Sequence, residues 1–247
     1  MENESLNMDT STVKELTAES WFELRIYSFK SEEQQALIED FYSLAIPVLN
    51  TLGVNPVGVF NDLELSLPGK LYVLLPYHSP EHLSEVSTAM DNDTVFQESA
   101  IAYLNAPANA PAYERIESSF MKGLKNFPHL MAPADKKAIF ELRQYQSASE
   151  AAGKKKIEMF NDQGEIDIFK RLQFDPVFWG ETIIGPDRPN LTYMVSFDSL
   201  SDKDTKWSDF LEDAEWKAIS AAPEYANELL VSLITSTLLI SAECSQI

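Results

Sequence analysis

The sequence predicts an α+β protein in which one structural unit occurs twice. The run Phe-Glu-Leu-Arg-x-Tyr at 22–27 returns at 140–145, which is 118 residues later. Three further blocks return in the same order: LGVNPV (52–57) as LQFDPV (172–177), LYVLLPYHS (71–79) as LTYMVSFDS (191–199), and DNDTVFQES (91–99) as EDAEWKAIS (212–220). Four blocks that keep their order and near-constant spacing indicate an internal duplication, which then governs the fold of the whole chain.

Each unit is predicted to run strand, helix, strand, strand, helix, strand. For the first unit the predicted elements are a strand at 21–29, a helix at 31–52, strands at 56–64 and 70–77, a helical region at 80–104 and a strand at 112–121. For the second unit they are a strand at 139–146, a helix at 150–172, strands at 176–184 and 190–197, a helix at 200–222 and a strand at 227–240.

The patterns behind these elements can be followed along the first unit. Apolar and polar residues alternate through 21–29, as they do in a half-buried strand. Apolar residues then recur at helical spacing, and Gly53 is suited to end that helix. A Pro-Gly pair at 68–69 predicts the turn between the two middle strands, and Gly-Pro-Asp at 185–187 takes this role in the second unit.

A βαββαβ order predicts a four-stranded antiparallel sheet with both helices on one face, which is the ferredoxin-like arrangement. The other sheet face needs a cover, because an exposed face rich in aromatic side chains would associate. We therefore expect the two units, in tandem, to pack sheet against sheet as a pseudo-dimeric α/β barrel. The expected division is a flexible N-terminal tail at 1–20, a first domain at 21–121, a linker at 122–138 and a second domain at 139–241.

Several of these runs resemble the NIPSNAP family of dimeric α/β-barrel proteins, namely FELRIY, IPVLNTLG, VNPVGVF and above all EDAEWKAI. The resemblance covers both units and implies a tandem NIPSNAP protein in which the usual homodimer has become a pseudo-dimer. The first copy departs from the pattern with DNDTVFQ, and the second has Asp167 where the first has Pro47. The family supplies no established catalytic residues, and related barrels include haem-binding and cofactor-free oxygenase members, so fold analogy spans several chemistries.

The acidic composition limits the partners. With 19 basic and 39 acidic residues the formal net charge is −20, so phosphate groups are repelled and nucleic acid is not expected as a partner. Cys244 is the only cysteine, which excludes an intrachain disulfide and fits a reducing compartment. No uncharged apolar run reaches about 18 residues, so no membrane span is expected. We expect a cytoplasmic protein, although a signal peptide removed before this numbering begins would leave no trace in it.

Strand alternation supplies the candidate site. Phe22, Leu24 and Ile26 share one face of the first strand, and the polar positions of the repeated run share the other. We assign the apolar set to the helix-covered face and the polar set to the interior of the barrel. The candidate ligand-binding residues are Glu23, Arg25, Tyr27, Glu141, Arg143 and Tyr145.

Two interpretations of this polar set stay open. In the first, each glutamate forms a structural ion pair with the arginine two residues on or, in the first unit, with Arg115, because an unpaired buried charge is costly. In the second, the two arginines bind a carboxylate or carbonyl group, to which the guanidinium fork is matched, and the two tyrosines donate hydrogen bonds.

Neither a metal nor a cofactor is expected. His78 and His82 have the spacing of a metal-binding pair, but a Ser-Pro step between them separates a strand from a helix, and the second unit has Asp198 and Asp202 there. Capping explains these positions better than metal binding. His129 lies in the linker, so no histidine lies on a barrel strand, which weakens a haem site. The tryptophans at 179, 207 and 216 are expected in the core more than along a cavity.

The sequence thus predicts a NIPSNAP-family protein that binds a small hydrophobic or carbonyl- or carboxylate-bearing molecule in the barrel between the sheets. A cofactor-independent enzyme is one form of this hypothesis. The alternative is a non-enzymatic protein–protein interaction or scaffold protein, which would have an exposed groove or edge strand and no deep pocket. A further homodimer of the pseudo-dimeric chain is left open, and dimerisation in solution would favour the alternative.

Overall fold

The computed structural model describes residues 20–135 and 137–247, so the tail predicted at 1–20 lies outside the described residues except for Ser20. The first unit contains strand β1 (Trp21–Phe29), helix α1 (Glu32–Thr51), strands β2 (Gly58–Asp62) and β3 (Gly69–Tyr77), helices α2 (Pro80–Asn92), α3 (Thr94–Ser99) and α4 (Ile101–Leu104), and strand β4 (Arg115–Gly123). The helical region predicted at 80–104 is therefore three consecutive helices.

The second unit repeats this order with two differences. It contains β5 (Ile139–Gln146), α5 (Glu150–Asn161), α6 (Glu165–Arg171), β6 (Asp175–Ile184), β7 (Asn190–Phe197), α7 (Leu200–Glu212), α8 (Ala214–Ser220), a 3₁₀ turn (Pro223–Tyr225), α9 (Asn227–Leu230) and β8 (Leu233–Ser241). The helix predicted at 150–172 is divided in two, and Gly164, with φ at +89°, begins its second part. The last strand starts at 233 and not at 227, because residues 227–230 are helical.

Serine side chains begin the major helices of both units in the same way. Ser31 and Ser149 accept a hydrogen bond from the third residue beyond them at the starts of α1 and α5, and Ser79 and Ser199 do so at α2 and α7. The duplication has thus kept its helix caps. No helix in the described part of the chain is both long and apolar enough to cross a membrane.

The eight strands of the described residues close into one antiparallel barrel in the order β1-β3-β2-β8-β5-β7-β6-β4. The first unit contributes β4-β1-β3-β2 and the second β8-β5-β7-β6, so the first strand of each unit lies inside its sheet. The units join where β2 pairs with β8 and where β4 pairs with β6. The predicted fold class, two ferredoxin-like units in one closed barrel, is confirmed.

Apolar side chains from both units fill the interior of the barrel. Phe22 and Leu24 of β1 pack there with Phe140 of β5, and all three are buried. Tyr27 and Tyr145, on the opposite faces of the same strands, pack instead with residues of the helices. The helical layers therefore lie over the face that carries the polar residues.

The prediction that the polar set of β1 and β5 points into the barrel is wrong. Glu23, Arg25 and Tyr27, and their counterparts at 141, 143 and 145, lie between the sheet and the helices. Alternation separates the two faces of a strand, but it does not say which face is the barrel interior when both faces are buried. Phe22, Leu24 and Phe140 face packed apolar side chains in the interior, whereas on the helix-covered face neighbouring strands and helix α7 bring hydroxyl and indole donors to the two glutamates.

Candidate functional site

In the first unit, Glu23 lies at the floor of a hollow between β1 and the helices, where four hydrogen bonds reach its carboxylate. Arg25 holds it with two nitrogens, Nε at 2.8 Å and Nη2 at 2.9 Å. The hydroxyl of Tyr77 donates at 3.2 Å, and the hydroxyl of Ser118 donates at 2.9 Å. Both carboxylate oxygens and both near nitrogens of the arginine are therefore committed within the chain.

In the second unit, Glu141 occupies the same place with different partners. Arg143 donates to it through one nitrogen only, Nη1 at 2.6 Å, and the indole of Trp207 and the hydroxyl of Ser236 each donate at 2.6 Å. Nε of Arg143 is buried without any hydrogen-bond acceptor. The predicted structural ion pairs between 23 and 25 and between 141 and 143 thus form, whereas the guanidinium of Arg115 donates to the backbone carbonyl of Glu114.

Both arginines stay charged. Burial lowers the pKa of Arg143, but the neighbouring Tyr193, Tyr145 and Glu141 outweigh this effect and raise it overall. For Arg25 the effects of Tyr42 and the adjacent carboxylate likewise exceed that of burial. Each unit therefore keeps one permanent cation beneath its helices.

The predicted tyrosines sit at the edge of these pairs. The hydroxyl of Tyr27 lies 2.8 Å from that of Tyr42 and accepts a hydrogen bond from Tyr103 at 3.2 Å, which forms a cluster of three phenols. The hydroxyl of Tyr145 lies 3.2 Å from that of Tyr193 and accepts from Nη2 of the second-unit arginine at 3.3 Å. Only the second tyrosine therefore contacts its arginine by a hydrogen bond.

A cavity of about 360 Å³ lies above the second pair, between β5, α5, α7 and α8. Its aromatic lining comes from Tyr145, Trp207, Phe210 and Trp216. Three cationic and two carboxylate side chains complete it, namely Arg143, Lys156, Lys203, Glu141 and Glu165. A locally positive hollow is notable in a chain whose formal net charge is −20.

The matching cavity of the first unit is smaller and of opposite charge. It measures about 210 Å³ and contains one cation, Arg25, against two carboxylates, Glu23 and Asp91. Burial raises the pKa of Tyr42 and of Tyr103, so the phenols there stay neutral and leave that balance unchanged. Larger hollows of 410 and 660 Å³ elsewhere on the surface contain neither arginine.

Five residues of these sites escaped the sequence prediction, namely Ser118, Ser236, Trp207, Lys156 and Glu165. The serines were detectable, because IESS at 116–119 returns as ITST at 234–237 with the same shift of 118 residues as the Glu-Arg run. Trp207 and Trp216 are expected in the core from the sequence, but both side chains line the cavity. Trp179 is fully buried core, as expected.

His78 and His82 lie where strand β3 meets helix α2, and the ring of His82 contacts backbone groups on both sides. Nδ1 of His82 accepts the backbone N–H of His78 at 3.2 Å, and its Nε2 lies 2.7 Å from the carbonyl oxygen of Leu52, just past α1. In the second unit the backbone N–H of Asp198 donates to Asp202 in the same geometry. The capping interpretation is therefore confirmed. Among the described residues, no three acidic, histidine or cysteine side chains are grouped so as to hold a metal ion.

Comparison with known proteins agrees with the sequence resemblance. Residues 140–246, which span the second unit, match the profile of the NIPSNAP family. No curated protein matches the chain in sequence. A NIPSNAP family protein from Agrobacterium tumefaciens is 21% identical over 44% of this chain and 97% of its own length, with a TM-score of 0.39.

Two solved structures cover nearly the whole chain. A candidate monooxygenase from Lactobacillus acidophilus superposes with a TM-score of 0.62 at 8% identity, over 90% of this chain and 94% of that one. A candidate monooxygenase from Fusobacterium nucleatum superposes with a TM-score of 0.58 at 9% identity, over 91% and 93%. At these identities the shared property is the fold.

Proposed function

We propose that the second unit, whose residues 140–246 match the profile of the NIPSNAP family, binds a small planar molecule through a carboxylate or carbonyl oxygen. The observation that carries the proposal is the state of Arg143. It gives one hydrogen bond to its glutamate where Arg25 gives two, its Nε has no acceptor, and it lines a cavity. A guanidinium with donors to spare is suited to a carboxylate or carbonyl oxygen.

The charge of the cavity supports an anionic group on the ligand. Glu141 already receives three hydrogen bonds, so its negative charge is met inside the chain. Lys156 and Lys203 lie on the same wall, where they pair with Glu165 and with Asp204. A carboxylate on the ligand would be attracted to these cationic side chains and to Arg143.

The walls of the cavity support a planar, largely apolar body. The guanidinium of Arg143 lies 4.5 Å from the ring centre of Trp207, and the ring centres of Trp216 and Phe210 are 4.6 Å apart. Flat indole and phenyl surfaces favour aromatic or conjugated ligands. A volume of about 360 Å³ is at the lower end for ligand sites, so one or two rings fit.

The experiment uses 2-naphthoate, with 2-naphthalenemethanol as the neutral analogue, in isothermal titration calorimetry of the full chain. We expect the carboxylate to bind and the alcohol to bind more weakly. Arg143→Met should weaken 2-naphthoate about 10- to 100-fold, since a hydrogen bond to a charged group contributes about 1.5 to 3 kcal/mol. Glu141 keeps its contacts with Trp207 and Ser236 in this variant, which favours retention of the fold.

The matched control is Arg25→Met, the same change in the first unit, which should leave 2-naphthoate affinity unchanged. Equal losses in both variants, or no saturable binding by the unmodified chain, would contradict the proposal. The latter result would instead favour the alternative, a protein–protein interaction protein. One feature supports that alternative: Leu233 and Ile234, at the start of β8, are 50% and 40% exposed.

The candidate monooxygenases among the structural neighbours share the barrel and little sequence with this chain. Oxygenation is therefore a reaction class to test with any ligand that binds. The binding proposal rests on the residues of the second unit alone.

A further inference from the structure

Lys156 is a lysine placed where the first unit has an apolar residue. It is 2% exposed, and its Nζ lies 3.4 Å from a carboxylate oxygen of Glu165, which is also 2% exposed. The equivalent positions of the first unit are Ile38, found 118 residues earlier, and Ala45, found 120 residues earlier, and both are fully buried. The second copy thus carries a buried ion pair at a place where the fold is built from apolar side chains.

Structural need does not explain this pair. Removing two charges from water is costly, and replacing a buried ion pair with apolar residues is often neutral or stabilising. The separation of 3.4 Å is also longer than the 2.7–2.9 Å of a strong charge-assisted hydrogen bond. The pair therefore contributes little to folding beyond what Ile38 and Ala45 already supply in the first unit.

The surroundings of Lys156 are those of a desolvated amine. Its Nζ lies 4.9 to 5.7 Å from the ring centres of Phe160, Tyr145 and Trp216, and 3.4 Å from the sulfur of Met159. Lysine amines form covalent intermediates with carbonyl compounds, and a hydrophobic pocket is one setting in which they do so.

Glu165 is suited to take up the proton of that amine. Burial raises the pKa of Glu165 above its usual value, and the opposing influence of Lys156 does not cancel this effect. A carboxylate oxygen of Glu165 lies 3.4 Å from Nζ of Lys156, so the carboxyl group is positioned as the acid–base partner of the amine.

The cavity brings this pair next to Arg143. Lys156 and Glu165 line the same 360 Å³ hollow, and both Nζ of Lys156 and the guanidinium of Arg143 lie against the ring of Tyr145, at 5.1 and 5.6 Å from its centre. One molecule bound in this hollow can therefore lie against both Arg143 and Lys156.

We propose that Lys156 forms an imine with an aldehyde or ketone group of a ligand whose carboxylate is bound by Arg143. This inference rests on the proposed function and specifies its substrate class, an aromatic or conjugated oxo acid. Glu165 acts as the proton carrier of the step.

The step balances within the pair and the ligand. The ammonium of Lys156 first gives a proton to Glu165. The free amine then attacks the carbonyl carbon, a C–N bond forms, and a proton moves from nitrogen to the former carbonyl oxygen to give a carbinolamine. Glu165 returns its proton to the hydroxyl, the C–O bond breaks, water leaves, and a protonated imine and a carboxylate remain.

Borohydride trapping tests this inference. The full chain is incubated with 6-formyl-2-naphthoate or with the smaller glyoxylate, sodium borohydride reduces any imine to a stable secondary amine, and peptide mass spectrometry locates the adduct. We expect the majority of the adduct at Lys156, although it is buried and most other lysines are more accessible. Excess 2-naphthoate should compete with the naphthaldehyde and reduce the adduct.

Two variants control the result. In Lys156→Ile combined with Glu165→Ala, which restores the pair of the first unit, the adduct at this segment should be lost while the chain stays folded. Lys155→Met removes the neighbouring lysine, which pairs with Glu158 in a part-exposed contact, and should leave trapping unchanged.

Each outcome decides the inference. Adduct at Lys156 that is lost in the double variant supports it, whereas adduct spread over exposed lysines, or absent with both probes, overturns it. Failure of trapping together with binding of 2-naphthoate would refute the imine and leave the proposed function standing. Failure of both would refute the proposed function as well.

Discussion

The two units carry the same Glu-Arg-Tyr triplet beneath a helical layer, but different side chains donate hydrogen bonds to its glutamate. Glu23 is held by two nitrogens of its arginine and by the phenol of Tyr77, and its pair is closed. Glu141 is held by one nitrogen of Arg143 and by the indole of Trp207, and its arginine keeps a donor unused. The same strand residues thus form an ion pair that uses two nitrogens of the arginine in one unit and an ion pair that leaves Nε of the arginine without an acceptor in the other.

The helices also invert the charge of the two hollows. The first unit has one cation and two carboxylates around about 210 Å³, and the second has three cations and two carboxylates around about 360 Å³. Lys156 and Glu165 add one charge of each sign where the first unit has Ile38 and Ala45, so the inversion itself comes from Asp91 in the first hollow and Lys203 in the second. The duplication therefore has one copy with apolar side chains at these two helix positions and one copy with a buried ion pair there.

The largest effect is expected from breaking the buried pair of the second unit. Lys156→Ile should lower the free energy of unfolding by about 3 to 5 kcal/mol, because it leaves the carboxylate of Glu165 buried without a partner. Adding Glu165→Ala should return the stability to that of the unmodified chain or above it. Guanidinium-induced unfolding measures both changes.

The control for this pair of variants is Lys155→Ile, at a part-exposed neighbour, which should change the free energy of unfolding by no more than about 0.5 kcal/mol. If Lys156→Ile alone lowers the free energy of unfolding only slightly, the two residues of the pair are not energetically coupled.

A smaller effect on the free energy of unfolding should distinguish Ser236 from its counterpart Ser118 in the first unit. Ser236→Ala removes one of three single donors to Glu141 and should cost about 1.5 kcal/mol. Ser118→Ala should cost about 0.5 kcal/mol, because Glu23 keeps both hydrogen bonds from its arginine. Thermal or chemical unfolding of the two variants compares them directly, and equal costs would mean that the glutamates are equally well satisfied.

A further effect is a pH dependence of stability that arises from Glu165, whose counterpart in the first unit is Ala45. Burial raises the folded-state pKa of Glu165 above 4.5, so the folded chain holds this proton more tightly than the unfolded chain does. The contribution of Glu165 to stability is then fully present below about pH 4.5 and is lost as the pH rises through the folded pKa. Relative to the double variant with Ile and Ala, the unmodified chain should lose about 1.4 kcal/mol for each unit of raised pKa.

Glu158 provides an internal control, because its contribution to stability changes with pH in the opposite direction. The hydrogen bonds from Lys155 and Tyr225 lower the pKa of Glu158, so its contribution is present at neutral pH and lost as the pH falls. Unfolding of Glu158→Gln from pH 4 to 7 should therefore diverge from the unmodified chain in the other direction. A double variant that follows the pH profile of the unmodified chain would refute the raised pKa of Glu165.

Much of the fold was readable from short-range patterns. The strands at 21–29, 139–146 and 190–197 have the predicted bounds, because period-two alternation and turn residues are local properties of the chain. The single helix predicted at 150–172 is wrong at one point: Gly164, which has a positive φ, separates α5 from α6, and helical periodicity does not indicate this break. The ion pairs within β1 and β5 were among the predicted alternatives, because residues two apart on a strand share a face.

The sequence by itself determined the duplication, the barrel of two ferredoxin-like units, and the identity of the residues that share a strand face. Only the tertiary structure decided which face the helices cover and which donors reach each glutamate. Trp207 and Ser236 are 66 and 95 residues away from Glu141, and no local pattern encodes such distant contacts. The arrangement of the candidate site therefore depends on helix packing, which brings Trp207 of α7, and on strand pairing, which brings Ser236 of β8.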